Sequence, residues 1–332
     1  MRTALITTTI QQPKVLALYG KCAITMPEDF KIFIAGDLKT PDLSDGPWTY
    51  LRPEQQQADW KTSRALPWNS ITRRNIALLE ALKWGAELIV TIDDDNIPLT
   101  VDYFDHFHYV MEKPFHGLRA ASSTGWFDVG QMVFPTASHR GFPAEKAGTH
   151  AFYPVVGASV GVAAGVVLGD PDIAAVTRIA TRPIVHVVSE VLRAGVVVDP
   201  SAWTVFNTQN TSALRQFAPA LLCCPQLGRF DDIYASLIAQ RVMREVGYCV
   251  HFGHPFVYQE RNQHDLIKDL KAEVFGMEHV VHLAGVLDHI QTFPVDKHPV
   301  RAIYETLRHV EWMPEGVYEL AMAWMDDVEG IL

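Results

Sequence analysis

The chain has 332 residues and a formal net charge of −10, from 28 Lys and Arg against 38 Asp and Glu. Apolar residues make up 48% and charged residues 20%, a globular balance that excludes wholesale disorder and leaves room for one large or two ordinary domains. The excess of acid argues against broad contact with nucleic acid or acidic membranes, so neither is expected as a partner.

The N-terminus runs straight into the β-branched stretch Thr3–Thr9, with no signal-peptide pattern ahead of it. A second strand is expected over Lys31–Ala35, ending in Gly36-Asp37. The Gln-rich, Trp-containing segment from Pro41 to Pro67 has the punctuation of a long loop. Asn69–Trp84 has helical spacing at Ile71, Ile76, Leu79 and Leu82, with Asn69 or Ser70 to cap it and Gly85 to end it. Glu87–Ile92 is a continuous apolar strand that runs into Asp93-Asp94-Asp95. Strand–helix–strand alternation of this kind predicts an α/β fold with a mostly parallel central sheet flanked by helices. Ligands in such sheets bind outside the carboxyl ends of the strands, where Thr7–Thr9, Asp37 and the acidic triplet all fall.

Residues 122–199 are rich in Gly, Pro and aromatics and show no clear period. Within them Phe152–Gly169 is free of charge, but Pro154, Gly157, Gly161, Gly165 and Gly169 suit a buried strand and close-packed loop instead of a membrane span. Helices are expected at Ala213–Leu221 and Asp232–Val246, and again from Arg301 to Leu332 with a break at Met313-Pro314. The C-terminal apolar residues Trp312, Met322, Trp324 and Met325 leave self-association open, with packing on their own domain favoured. Cys22, Cys223, Cys224 and Cys249 form neither a CxxC pair nor a zinc spacing, which points to reduced thiols and a cytoplasmic location. No internal repeat divides the chain.

Three carboxylates at a strand end repel one another unless a cation sits among them. In extended backbone Asp93 and Asp95 point to the same side, so both reach one hard divalent ion, Mg2+ or Mn2+. Such an ion would bridge the phosphates of a nucleotide and neutralise a departing diphosphate. The competing reading is a solvated acidic turn; placement after a buried strand favours the metal. The sequence lacks the DDxxD spacing of prenyl-diphosphate enzymes, and it lacks the small residues that follow the acids of haloacid-type phosphatases.

Three stretches now stand together: Thr91-Ile92-Asp93-Asp94-Asp95, then Arg140-Gly141-Phe142-Pro143, then Gly228-Arg229-Phe230-Asp231-Asp232. In order and separation they resemble the TIDDD, RGYP and GRYDD motifs of the plant reversibly glycosylated polypeptides, or UDP-arabinopyranose mutases (glycosyltransferase family 75). A looser similarity, through Arg73-Arg74-Asn75, Gly130-Gln131 and the same Arg140 motif, is to the STELLO-type glycosyltransferase-like proteins. The resemblance implies a GT-A-like nucleotide-sugar domain over residues 1–285, a C-terminal helical extension over 286–332, a divalent metal and a UDP-sugar substrate. Asp93 and Asp95 match the metal acids, with Asp94 between them near the ribose. Thr7, Thr8, Thr9 and Asp37 would line the nucleoside pocket, and Arg73 or Arg74 would contact phosphate.

The family's motif arginine is the one that becomes reversibly glycosylated, and Arg140 matches it. A protonated guanidinium is a poor nucleophile, so that role needs carboxylates, with Asp231 and Asp232 as candidates. The competing role for Arg140 is an ion pair with the diphosphate or with Asp231. Two departures bear on this. Lys146-Ala147-Gly148 replaces the family's REG triplet, and Tyr258-Gln259-Glu260-Arg261 replaces YHSK, keeping a cation at Arg261 but no histidine at Gln259. If that histidine served the metal, His251 or His254 would have to replace it. Trp126, Phe127 and Trp203 are candidates to stack on a sugar or base, and the small residues 157–165 would admit a sugar ring. The reading is a metal-dependent UDP-sugar enzyme that interconverts pyranose and furanose forms or glycosylates itself on Arg140. The alternatives are a glycosyltransferase with an external acceptor and a non-catalytic binding partner.

Overall fold

The computed structural model describes residues 1–26, 28–261 and 265–332. The central sheet has ten strands: β1 (Thr3–Thr8), β2 (Phe30–Ala35), β3 (Thr49–Leu51), β4 (Leu88–Ile92), β5 (Asn96–Pro98), β6 (Phe115–Ser122), β7 (His150–Gly169), β8 (Val196–Val198), β9 (Asn210–Leu214) and β10 (Tyr248–Gln259). Their order is β3-β2-β1-β4-β9-β7-β6-β8-β10-β5. The first four are parallel, as their alternation with helices predicts. Beyond β4 the sheet is mixed, because β9 enters antiparallel between β4 and β7.

That strand corrects the helix expected at Ala213–Leu221. Asn210–Ala213 are fully buried between two strands, so tertiary pairing overrides local helical spacing, and only Ala218–Leu221 forms a 3-10 turn. The expected loop from Pro41 to Pro67 likewise contains β3 and the short helices Pro53–Asp59 and Lys61–Ala65. The uncharged stretch from Phe152 lies within β7, which pairs with β6 over its first half and with β9 and β10 over its second. Among the described residues no helix is long and apolar enough to cross a membrane.

Helix α1 (Arg74–Trp84) packs on β1 and β2 and buries Ile76, Leu79 and Leu82 as its spacing predicts. Gly85 ends it in the left-handed conformation. Its outer side is covered in turn by the C-terminal helix α5 (Val317–Glu329), so α1 is apolar nearly all round. On the opposite sheet face α2 (Tyr103–Glu112) seats Tyr103, Phe104 and Phe107. Two further long helices are α3 (Asp231–Glu245) and α4 (Leu266–His289), the latter running through position 285. Trp324 and Met325 of α5 are fully buried, and Trp324 Nε1 donates to Pro219 O at 2.9 Å.

Candidate active site

The β4 run Leu88–Ile92 is wholly buried and delivers the acidic triplet to the edge of a cavity of about 290 Å³. Asp93 and Asp95 line it together with Arg74, Arg140, Asp172, Gln209, Arg229, Asp231, Asp232, Gln259 and Arg261. Asp94 points the other way and accepts from Thr9 Oγ1. The strand has ended at Ile92 and Asp94-Asp95 lie in a turn, so the turn, and not the strand alternation the sequence suggests, sets Asp93 and Asp95 on the cavity. The triplet is held by a turn in which Asp93 N donates to Asn96 Oδ1 at 3.1 Å. β5 then pairs with β10 in a register that sets Gln259 opposite Asn96. The Gln259 amide thereby reaches both Asp95 oxygens, at 3.1 and 3.2 Å.

Arg74 opens α1 and its guanidinium pairs with Asp93, while its Nη1 donates to Thr208 O at 2.9 Å. Burial pulls its pKa down, but Asp93 outweighs this and the net shift is upward. The other Asp93 oxygen accepts from Gln209 Nε2 at 2.8 Å. Neighbouring Arg73 is fully buried on the far side, bonded to Gln56 and Ser63 and stacked over Trp68, and has a structural role only. Asn75 pins Cys223 through two backbone hydrogen bonds of 2.8 and 3.0 Å.

Arg140 is buried at the centre of an ion-pair cluster. Its Nε donates to Asp172 at 2.6 Å, its Nη2 to both oxygens of Asp232 at 2.9 and 3.1 Å, and its Nη1 to the carbonyl of Arg229. Gly141, at φ +86°, makes the turn that lets this loop press on the start of α3; a Cβ there would meet Ile233 at 2.5 Å. Burial alone would lower the Arg140 pKa, but Asp172, then Asp232 and Asp231, outweigh it, so the guanidinium is held firmly cationic. The expected pairing with Asp231 is replaced by Asp232 and Asp172.

Asp231 instead stands at the first position of α3, where its carboxylate accepts from Asp232 N at 2.9 Å. Burial, reinforced by Asp232, pushes its carboxyl up to about 7, against the pull of Arg140. Asp172 behaves oppositely: burial would raise it, but Arg140, Arg261 and Arg229 hold it well below the usual carboxylate range. Arg261 lies 3.6 Å from Asp172, and Arg229 is shared among Asp172, Asp269 and Glu273.

Several expected contributors are elsewhere. Thr7 and Thr8 donate to the carbonyls of Ile92 and Ala35, and Asp37 accepts from the amides of Leu38, Asn69 and Ser70, so these polar groups are spent inside the fold. None of Thr7, Thr8, Thr9 and Asp37 lines the cavity. Trp126, Phe127 and Trp203 are core residues, and a Cβ on Gly161 or Gly165 would collide with Met243 or Asn210; those small residues serve packing. His251 is buried against Phe115, while His254 stacks between His106 and Phe256; neither borders the cavity.

Asp172, Gln209 and Gln259 are the site residues that the motifs do not assign. A signal for Asp172 existed, since a long apolar strand runs into Gly169-Asp170-Pro171-Asp172 just as β4 runs into its triplet. Gln209 carries no local mark, whereas Gln259 stands where the family's YHSK has its histidine and reaches Asp95 as that position suggests.

Asp93 and Asp95 fit a hard cation in their donor type: both are carboxylates, and burial followed by Asp93 raises the Asp95 pKa, as crowded acids without a counter-ion should show. They do not make a complete cage. Among the described residues no group of three or more His, Cys, Asp or Glu is arranged to hold a metal alone. Two carboxylates suffice where substrate phosphates and water fill the remaining positions, the usual arrangement for Mg2+.

No protein-family model and no curated protein matches the chain. Solved structures similar to it include the glucosyl-3-phosphoglycerate synthase of Mycobacterium tuberculosis in complex with Mn2+ and UDP-glucose, at 10% identity and TM-score 0.44 over 85% of this chain and 79% of that one. Another is the mannosyltransferase PcManGT from Pyrobaculum calidifontis in complex with GDP-Man and Mn2+, at 11% identity and TM-score 0.38 over 99% of this chain and 73% of that one. A mycobacterial protein aligns at 10% identity and TM-score 0.45 over 85% of this chain and 74% of that one.

Proposed function

We propose that the protein is a metal-dependent glycosyltransferase that moves a sugar from a UDP-sugar to an external small-molecule or protein acceptor. The observation that carries this reading is the charge balance of the cavity. Four arginines and five aspartates line it, and each arginine is already committed to a carboxylate of the protein. A diphosphate entering such a site needs further positive charge, which Asp93 and Asp95 are placed to recruit as Mg2+ or Mn2+. A divalent ion held there neutralises charge on the departing diphosphate.

The chain's own groups divide the rest of the work. Arg74 is occupied by Asp93 and Thr208 and holds the first acid in place. Arg261, whose contacts among the described residues are all 3.4 Å or longer, faces the same space and is the arginine that turns to phosphate oxygens. Asp231, poised near neutrality, accepts the proton of the acceptor hydroxyl as its oxygen bonds to the anomeric carbon and the bond to UDP breaks. Arg140 fixes Asp232 and Asp172 around that carboxyl.

Self-glycosylation of Arg140, the outcome the family resemblance implies first, has little support in this geometry. Every guanidinium nitrogen of Arg140 is bonded, and the flanking acids strengthen its hold on the proton that a nucleophile must lose. The pyranose–furanose outcome shares the loss of UDP and differs in what recaptures the sugar. Incubating the purified protein with labelled UDP-sugars, Mg2+ or Mn2+ and candidate acceptors separates these. The expected result is acceptor-stimulated UDP release with label on the acceptor. Label retained on the protein and lost with Arg140→Ala would restore self-glycosylation, and a furanose product would restore the mutase. Binding without turnover across the panel leaves only a partner subunit.

A further inference from the structure

Helix α4 has two apolar faces. One, with Gly276, Val280, Leu283, Ala284 and Leu287, is buried in the domain. The other carries Ile267, Leu270, Val274, Met277 and Val281, spaced alternately three and four apart. Ile267 is 56% exposed, Val274 43% and Met277 42%; Leu270 is half-buried, and Val281, packed in part against the core, ends the stripe. That spacing is the seam pattern of paired helices, and it runs for about 21 Å on the solvent side of this helix. Isolated surface apolar residues are ordinary; five in one stripe mark a contact face.

We propose that this stripe is a homodimer seam, covered by the same helix of a second copy lying antiparallel across Val274. The sequence of the stripe is self-complementary about that point. Ile267 and Val281 lie equally far on either side, and Leu270 and Met277 nearly so. The exposed residues Lys271 and Glu278 flank the stripe at almost equal distances from its centre. Antiparallel pairing sets Lys271 of each copy beside Glu278 of the other, giving two ion pairs per dimer.

A second feature of the surface agrees. An open depression of about 670 Å³ begins at Val281 and continues along His282, Gly285, Val286 and His289. Gly285 leaves its floor free, with no atom near the position of a Cβ. The register that places Val274 on Val274 delivers Ile267 of the second copy to the mouth of this depression. The seam also bears on the cavity, because α4 carries Asp269 and Glu273, which hold Arg229 at 3.6 and 3.0 Å.

The test is sedimentation equilibrium of the full chain over a range of micromolar concentrations. A reversible dimer is expected. Lys271→Glu should weaken it by about tenfold, and Lys271→Glu combined with Glu278→Lys should restore it. Val274→Glu should give a monomer whose circular dichroism is unchanged and whose melting no longer depends on protein concentration. A monomer at every concentration overturns the proposal, as does association that neither the charge reversal nor Val274→Glu affects.

Discussion

Nη2 of Arg140 bridges both oxygens of Asp232, at 2.9 and 3.1 Å, while Nε of the same side chain holds Asp172 at 2.6 Å. One guanidinium thus keeps two buried acids apart and lies near the charge of Asp231 as well. Removing it strips Asp232 of its cation and leaves Asp172 with the longer contacts to Arg229 and Arg261, and an underpaired buried charge costs more than the pair contributes when intact. Arg140→Ala should lose about 3–5 kcal/mol of stability by that reasoning. Arg140→Lys should be intermediate, because an ammonium lacks the fork that serves Asp172 and Asp232 together. Denaturant unfolding at neutral pH measures both, and near-wild-type stability for the alanine variant would mean the cluster does not hold this region.

Asp231 predicts how catalysis responds to pH. Its carboxyl stands at about 7 in the folded protein, and only the ionised form accepts a proton from an acceptor. Transfer should therefore rise as pH increases through about 7 and level off above it. Asp231→Asn should lower the rate by roughly 10²–10⁴-fold and flatten that limb. The linkage to stability has the opposite sense. Between the ordinary carboxyl value of 3.8 and about 7 the folded chain binds more protons at this site than the unfolded one, so the Asp231 contribution falls as pH rises through that window. Initial rates and unfolding curves across the same pH range check both statements; a wild-type limb that survives in Asp231→Asn assigns the base elsewhere.

Much of this architecture is legible in the sequence where one segment contains its own reasons. The runs that became β1, β2 and β4 are apolar and continuous, and the acids do follow β4 directly, although a turn and not extended backbone brings Asp93 and Asp95 to one side. What escapes is whatever depends on a distant strand. Asn210–Leu214 has no strand signature of its own and becomes one because β4 and β7 leave a slot for it. Gln209 reaches Asp93 just before that strand begins, and Gln259 reaches Asp95 only through the β5–β10 register. Trp126 and Trp203 carry chemistry suited to a sugar platform, yet they pair in the core, and residue type alone cannot distinguish the two uses.

Asp95 is the cleanest probe of the metal. Asp93 also holds Arg74, so changing it would disturb two functions at once, whereas Asp95 has, among the described residues, only the Gln259 amide as its hydrogen-bond partner. Asp95→Asn should weaken Mn2+-dependent UDP binding by at least about tenfold, equal to 1.4 kcal/mol, and leave metal-free binding unchanged. Calorimetric titration with UDP, with and without Mn2+, makes the comparison. Equal affinity in the presence of metal would remove Asp95 from the metal's ligands.

His251 gives a prediction independent of the reaction. The ring is buried on β10 against Phe115, and neither nitrogen has a hydrogen-bond partner among the described residues. Gly195 and Gly253 close over it; a Cβ at either position would approach the imidazole to 2.5 or 3.0 Å. Burial, with His254 nearby, pushes its pKa from 6.5 down to about 3, so the folded protein keeps it neutral while the unfolded chain protonates it. The stability associated with the neutral ring is fully present above the unfolded value and is lost as pH falls from 6.5 toward 3. The loss is at most about 1.4 kcal/mol per pH unit in that window. His251→Leu removes two unsatisfied polar atoms from an apolar site, so it should match or exceed the wild type at neutral pH and lose less stability in acid. Thermal melts of both proteins from pH 7 to 4 test this. Parallel pH dependences would show that His251 remains neutral in the unfolded state as well, or finds a partner when folded.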